Sequence, residues 1–189
     1  FGSFRRAAHL NRWLLENGFL CLNNGKTEGG EFFEDVDWSK TKAYALGFGG
    51  IYINRIGREK YGIINDSEAE EIKKQIAGQL SEWEDSDTGE KVIKQVYPAE
   101  EVFVGPYVND APDLFVGFNY GYRASWQTAL GGTPKVRIED NKKKWSGDHL
   151  IDPDLVPGVM FINRKINLNE PHIMDIAAMI LKQEWQEKY

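Results

Sequence analysis

The chain predicts a mixed α/β protein, on three observations. Apolar residues recur at helical spacing in three stretches, near residues 3–17, 67–83 and from about 171 onward. Short apolar runs rich in β-branched and aromatic residues stand between them. The composition is that of a globular domain, with 41% hydrophobic and 28% charged residues among 189, enough apolar material for one sizeable core. Helices alternating with short strands place the chain in the α/β class.

The elements follow in order. Ser3 is suited to cap a helix over 3–17, with Phe4, Ala7, Leu10 and Leu14 on one face and Gly18 as its stop. Residues 23–42 are polar, Gly-rich and acidic, and read as an irregular loop ending near Trp38. "AYALGFGGIYIN" (43–54) predicts one or two strands around a glycine bend. "DSEAEEIKKQIAGQLSEW" is the clearest helix: Ser67 and Glu70 fit a capping box, and Ala69, Ile72, Ile76, Leu80 and Trp83 share a face. "DSDTGE" reads as a turn, residues 91–97 and 113–118 as strands, and "GYRASWQTALGGTP" as a loop. Residues 157–163, "PGVMFIN", read as a buried strand, and Ile173, Ile176, Ile180 and Leu181 mark a final amphipathic helix.

Bulk properties exclude several function classes. The net charge is -6 and no basic cluster exceeds Lys142-Lys143-Lys144, so no electrostatic footprint for nucleic acid is evident. The same acidity argues against anionic membrane surfaces. One cysteine, Cys21, rules out an internal disulfide and a Cys-rich zinc site. No apolar run approaches the roughly 20 residues that span a bilayer. The opening "FGSFRRAAHLNRW" has no Met and no signal peptide, and reads as cut from something longer. Localisation is therefore not legible at this end; the cytoplasm is favoured.

Most motif-like stretches have plain structural readings. "GFGG" at Gly47–Gly50 lacks the third glycine of a dinucleotide fingerprint and reads as a bend. "DSDTGE" has Gly89 where a calcium loop needs a third ligand. "NDS" at Asn65 fits a glycosylation acceptor but doubles as a helix cap. His9 falls on the polar side of the first predicted helix, near Arg5, Arg12 and Glu16, and reads as solvent-exposed; His172 sits at a helix entrance. His149 differs from both. It follows Gly147, which lets the backbone turn, and precedes an apolar run that would pin the turn against a sheet. That suits a metal ligand or an acid/base, although on spacing alone a hydrogen-bonded loop histidine is the favoured reading. Arg123, in "GYRASW", and Arg58, in "NRIGREKYG", each offer a planar fork for a phosphate or carboxylate; a surface ion pair or an aromatic stack explains either as well.

Four blocks in order, "SFRRAAHLNRWLLENGFL", "DWSKTKAYALGFGGIYINRIGRE", "APDLFVGFNYGYRASWQTALGG" and "WSGDHLIDPDLVPGVMFINRKI", resemble the type I phosphodiesterase/nucleotide pyrophosphatase family. They are most similar to its branch of predicted phosphohydrolases and phosphomutases within the alkaline phosphatase superfamily. The resemblance runs from Phe1 to about Ala178. It implies the C-terminal part of an alkaline-phosphatase-like α/β/α sandwich, with residues 1–57 and 145–189 as core and 58–144 as an inserted cap-like segment. It implies two divalent metals, usually zinc, at the C-terminal edge of the strands, held by Asp and His, and a Ser or Thr nucleophile that forms a phospho-enzyme. The Gly-Asp-His motif matches the family's last metal-binding histidine, so the resemblance implies that His149 is a metal ligand.

The nucleophile and the family's Asp-His pair would lie upstream of Phe1, so these 189 residues by themselves are expected to be inactive. Arg123, Tyr122, Trp126 and Arg58 are the candidate contacts for a phosphate-ester or nucleotide substrate. The tail "QEWQEKY" departs from the family's usual close. Two other readings stand beside this one: a phosphomutase of the same superfamily, and a non-catalytic domain that binds through exposed aromatics.

Overall fold

The computed structural model describes residues 2–163, 165 and 171–186, with side chains as far as 181. It divides into two units, Phe1–Pro157 and Gly158–Tyr189.

In the first unit, strand β1 (Gly2–Ala8) leads into helix α1 (Leu10–Glu16). The hairpin of β2 (Ala43–Leu46) and β3 (Gly50–Ile53) precedes helix α2 (Asp66–Ser81). Strand β4 (Ile93–Pro98), the single turn α3 (Ala99–Val102) and β5 (Leu114–Phe118) follow. Then come β6 (Gly121–Ala124), the short helix α4 (Trp126–Ala129), β7 (Ile138–Asp140) and β8 (Gly147–Asp148). Two four-stranded sheets result. In one, β1 lies between a parallel β6 and an antiparallel β7, and β8 pairs antiparallel with the start of β1. The other is antiparallel throughout, in the order β2-β3-β5-β4. The class is mixed α/β, as the sequence implies.

Residues 58–144 do not stand apart as a cap. They supply β4 and β5 to the second sheet and β6 and β7 to the first.

The first half of the first predicted helix is strand. β1 and β6 slip register between Phe4 and Arg6, so the buried residues fall at Phe4, Ala7 and Ala8 and imitate helical spacing. The helix begins only at Leu10, where the His9 carbonyl accepts the Trp13 N–H. His9 is fully buried rather than exposed, because it ends a strand flanked on both sides.

Other expectations fare differently. The glycine bend is the β2–β3 turn, with Gly47 at φ 73° and Gly49 at φ 142°, where a side chain would be strained. Helix α2 buries Ala69, Ile72, Ile76 and Leu80 as expected, with Trp83 buried just beyond it. Its capping box, however, is Asn65 with Glu68, since Ser67 already lies inside the helix. "GYRASW" is strand β6 and the start of α4, not loop; its pairing partner is β1, more than a hundred residues away. Ser125 caps α4 by accepting the Thr128 N–H at 2.9 Å.

In the second unit, residues 158–163 form no strand, and Val159 and Phe161 are exposed; none of the described residues pairs with their backbone. Helix α5 (Asp175–Gln186) matches the predicted final helix. The His172 N–H donates to the Asp175 carboxylate at 2.8 Å, a local cap.

Candidate functional site

The site is built around the segment that follows β8. Ser3 pairs with Gly147 and Gly2 with Asp148, and the Phe4 N–H donates to the Ser146 carbonyl at 2.8 Å. Asp148 is nearly buried and uses both oxygens. Oδ1 accepts the backbone N–H of His149 at 2.7 Å and of Leu150 at 3.0 Å, and Oδ2 pairs with Nη1 of Arg123. The carboxylate therefore makes the turn. Gly147 does not: it is extended backbone within β8.

Arg123 is 2% exposed. Its Nε donates to the Ala124 carbonyl at 3.1 Å, and its guanidinium lies 4.4 Å from the Phe4 ring centre, 4.7 Å from Trp126 and 5.7 Å from Phe48. Nη2 has no hydrogen-bond partner among the described residues; the cation meets aromatic faces there instead. Burial pulls the Arg123 pKa down.

Two anchors hold the turn at its far end. Asp152 is fully buried, accepting the Tyr97 hydroxyl at 2.8 Å and donating its own N–H to the Phe118 carbonyl at 3.1 Å. Gly117 has no side chain to obstruct it: a Cβ there would lie 2.0 Å from Asp152 Oδ2. Ile151 packs so closely over Gly2 that a Cβ on Gly2 would meet its Cδ1 at 2.8 Å. Between these fixed points the His149 side chain is 77% exposed, with Nδ1 3.8 Å from Asp148 Oδ1. It lies beside the amino end of β1, not at the carboxyl end of that strand.

The four predicted substrate contacts do not converge. Arg123 and Trp126 belong to this site, but Arg123 is sealed beneath Trp126 and is no surface fork for a phosphate. Tyr122 is adjacent on β6 and so points to the other face. Its hydroxyl is 3.0 Å from Asp85 Oδ2 and 2.9 Å from the Thr88 hydroxyl, and the residue is buried. Burial raises the Tyr122 pKa. Asp85 also takes the Arg6 fork at 2.6 and 2.8 Å. Burial alone would raise the Asp85 pKa; Arg6, the Asp87 N–H and Tyr122 together hold it below the usual carboxylate range. "DSDTGE" is thus a turn whose first aspartate is interior.

Arg58 lies in a third cluster. Its Nη2 meets Asp113 Oδ2 at 2.6 Å and the Ile53 carbonyl at 2.7 Å, and its Nε meets Glu59 at 2.8 Å. Arg55 joins the same Asp113 at 2.7 Å. This cluster edges a cleft of about 800 Å³ whose rim includes Asp66, Glu70, Lys73 and Glu100.

Sequence reasoning missed Asp148, Phe4, Phe48 and Asp152 as parts of the site. Asp148 stood inside the Gly-Asp-His motif, and its position before an exposed histidine was the available signal. As for a metal, the His149 imidazole is a chemically suitable donor, but no group of three or more His, Cys, Asp or Glu is placed to share an ion among the described residues. No protein-family model matches the chain, and neither a curated protein nor a solved structure matches it.

Proposed function

We propose that this chain is the C-terminal part of a metal-dependent phosphoric-ester hydrolase of the phosphodiesterase/nucleotide pyrophosphatase kind, and that His149 is one coordinating arm of its metal centre. The observation that carries this reading is the pairing of Gly2–Ser3 with Gly147–Asp148. It sets the imidazole beside the residues that open β1, which is where the sequence resemblance puts the family's Asp-His pair, immediately upstream. Two ligand segments distant in sequence would then meet at one place. In the same reading the mixed α/β fold is part of an alkaline-phosphatase-like sandwich.

Asp148 has both oxygens committed, so this reading assigns the metal to the His149 imidazole, whose Nδ1 lies 3.8 Å from Asp148 Oδ1. A bound pair of divalent ions would supply charge neutralisation for the attacking and leaving oxygens of a phosphoryl transfer. The residues described here orient the ligand and, through Trp126 and Phe48, wall the approach to Arg123.

The test is His149→Ala in the complete protein. Zinc content by metal analysis and hydrolysis of bis(4-nitrophenyl) phosphate should fall together, each by more than about tenfold. Unchanged zinc and unchanged hydrolysis would remove His149 from the site and the reading with it.

A further inference from the structure

We propose that the surface around Phe32 is a docking site for a partner protein, and that it takes a basic and apolar segment: an arginine or lysine beside a large hydrophobic side chain. This goes beyond the proposed metal centre and does not depend on His149.

Three observations meet at this surface. The first is strain. Phe32 has φ 56° and ψ 29°, and Phe33 has φ 59°, left-handed backbone that a β-carbon disfavours. Phe33 packs edge-on to Trp38 and Tyr44, with ring centres 5.4 and 5.3 Å away, and lies over Gly131, where a Cβ would meet the ring at 2.7 Å. That packing accounts for one of the two residues. Phe32 is 77% exposed, and its ring finds no aromatic partner among the described residues.

The second observation is apolar company. The Phe32 N–H donates to the Leu130 carbonyl at 2.7 Å, and the Gly47 N–H to the Ala129 carbonyl at 3.2 Å. Phe32, Leu130 and Leu46 thus come to one stretch of surface from three segments of the chain, and all three are exposed. A single exposed hydrophobe is ordinary, whereas a contiguous set marks a contact surface.

The third is an acidic cleft of about 460 Å³ beside them, between the glycine-rich segment 25–30 and residues 132–134. Glu28, Glu31 and Asp35 line it against one ammonium, Lys26. Lys26 pairs with Asp35 at 3.3 Å and Lys135 with Glu28 at 3.4 Å, whereas Glu31, next to Phe32, has no ion pair among the described residues. Glu34 has none either, and a Cβ on Gly30 would meet its Oε2 at 3.0 Å. Thr133, in the wall of the same cleft, has a buried hydroxyl with no hydrogen-bond partner among the described residues. Unmet polar groups in a recess with excess negative charge suit a donor that carries positive charge.

Charge complementarity chooses the occupant. A second copy would bring the same carboxylates against these, and a chain of net charge -6 opposes that. A basic side chain gains from Glu31 and Glu34 while its apolar neighbour covers Phe32.

The experiment pans a phage library of random peptides, roughly twelve residues long, on the whole chain. Enriched peptides are synthesised and their binding is measured by fluorescence anisotropy. They should carry arginine or lysine within a few residues of a large apolar side chain. Glu31→Lys and Phe32→Ser should each weaken them at least about tenfold. Raising NaCl from about 0.05 to about 0.5 M should weaken them as well. Phe32→Gly removes the ring and suits left-handed backbone, so it should lose the peptides equally while melting close to the wild-type temperature. Val104→Ser, at another exposed apolar residue, is the control and should bind normally.

A library that fails to enrich, or enriched peptides without basic residues, would overturn the proposal. So would peptides that bind Glu31→Lys and Phe32→Ser with wild-type affinity. A dimer seen by analytical ultracentrifugation and dissolved by Phe32→Ser would overturn it too, because the face would then belong to a second copy.

Discussion

Asp113 and Asp148 are both nearly buried carboxylates gripped by arginine, yet the two clusters end differently. Asp113 gathers Arg55, Arg58 and the Ile53 N–H, and its bonds tie β3 to α2 through Arg55, which also meets Asp66 and Glu70. Its arginines remain about one-fifth exposed, so water shares the charge. Asp148 holds one arginine, which is sealed, and its remaining bonds run outward to a turn that carries an exposed imidazole. One cluster fastens a sheet and a helix; the other fastens a turn. Chemistry of the pair is the same in both, and only the destination of its bonds tells them apart.

The largest effect should come from breaking the sealed pair. Arg123→Met leaves Asp148 buried without its counter-charge, and urea unfolding should show a loss of about 3–5 kcal/mol. Asp113→Ala should cost less, about 2–3 kcal/mol by the same measurement, because Arg55 and Arg58 can turn to water. An equal loss at both sites would erase the distinction between them.

Gly117→Ala sharpens the comparison from the other side of the turn. A methyl group there must displace the Asp152 carboxylate, at about 1–3 kcal/mol, and hydrogen exchange should quicken at residues 149–152. Unaltered exchange would show that Asp152 does not hold the turn.

A pH effect should appear at His9, a buried group outside both clusters. Burial lowers its pKa below 6.5, and the Glu139 carboxylate, 3.5 Å from Nε2, only partly offsets this. As pH falls, the unfolded chain therefore takes up the proton before the folded one does. Stability should be intact above about pH 6.5 and decline below it, by at most about 1.4 kcal/mol per pH unit. Urea midpoints from pH 8 to 5 measure this, and His9→Gln should flatten the slope. The smallest change is Asn65→Ala, which removes the α2 cap for about 1 kcal/mol and should leave the behaviour of both aspartate clusters untouched.

What the sequence made legible was local. The β2–β3 bend and the buried face of α2 follow from glycine placement and helical spacing, which neighbours in the chain determine. β1 was hidden because its irregular register reproduces helical spacing. β6 was hidden because "GYRA" becomes a strand only beside β1, and no local pattern announces that partner. At the site, the Gly-Asp-His motif marked His149 as a candidate, while the means of holding it stayed out of sight. Arg123, Phe4 and Asp152 come from separate parts of the chain and meet only after folding. Arg123 and Tyr122 were grouped by adjacency, and a strand sends adjacent residues to opposite faces.

The pairing of Gly2 with Asp148 also fixes a sequence of events. Those two residues are separated by nearly the whole of the first unit, so their contact closes one of its longest loops and adds little pairing of its own. β8 should be among the last elements to dock during folding and among the first to fray afterwards. The histidine would then gain its orientation late, only when the rest of the unit is already in place to receive it.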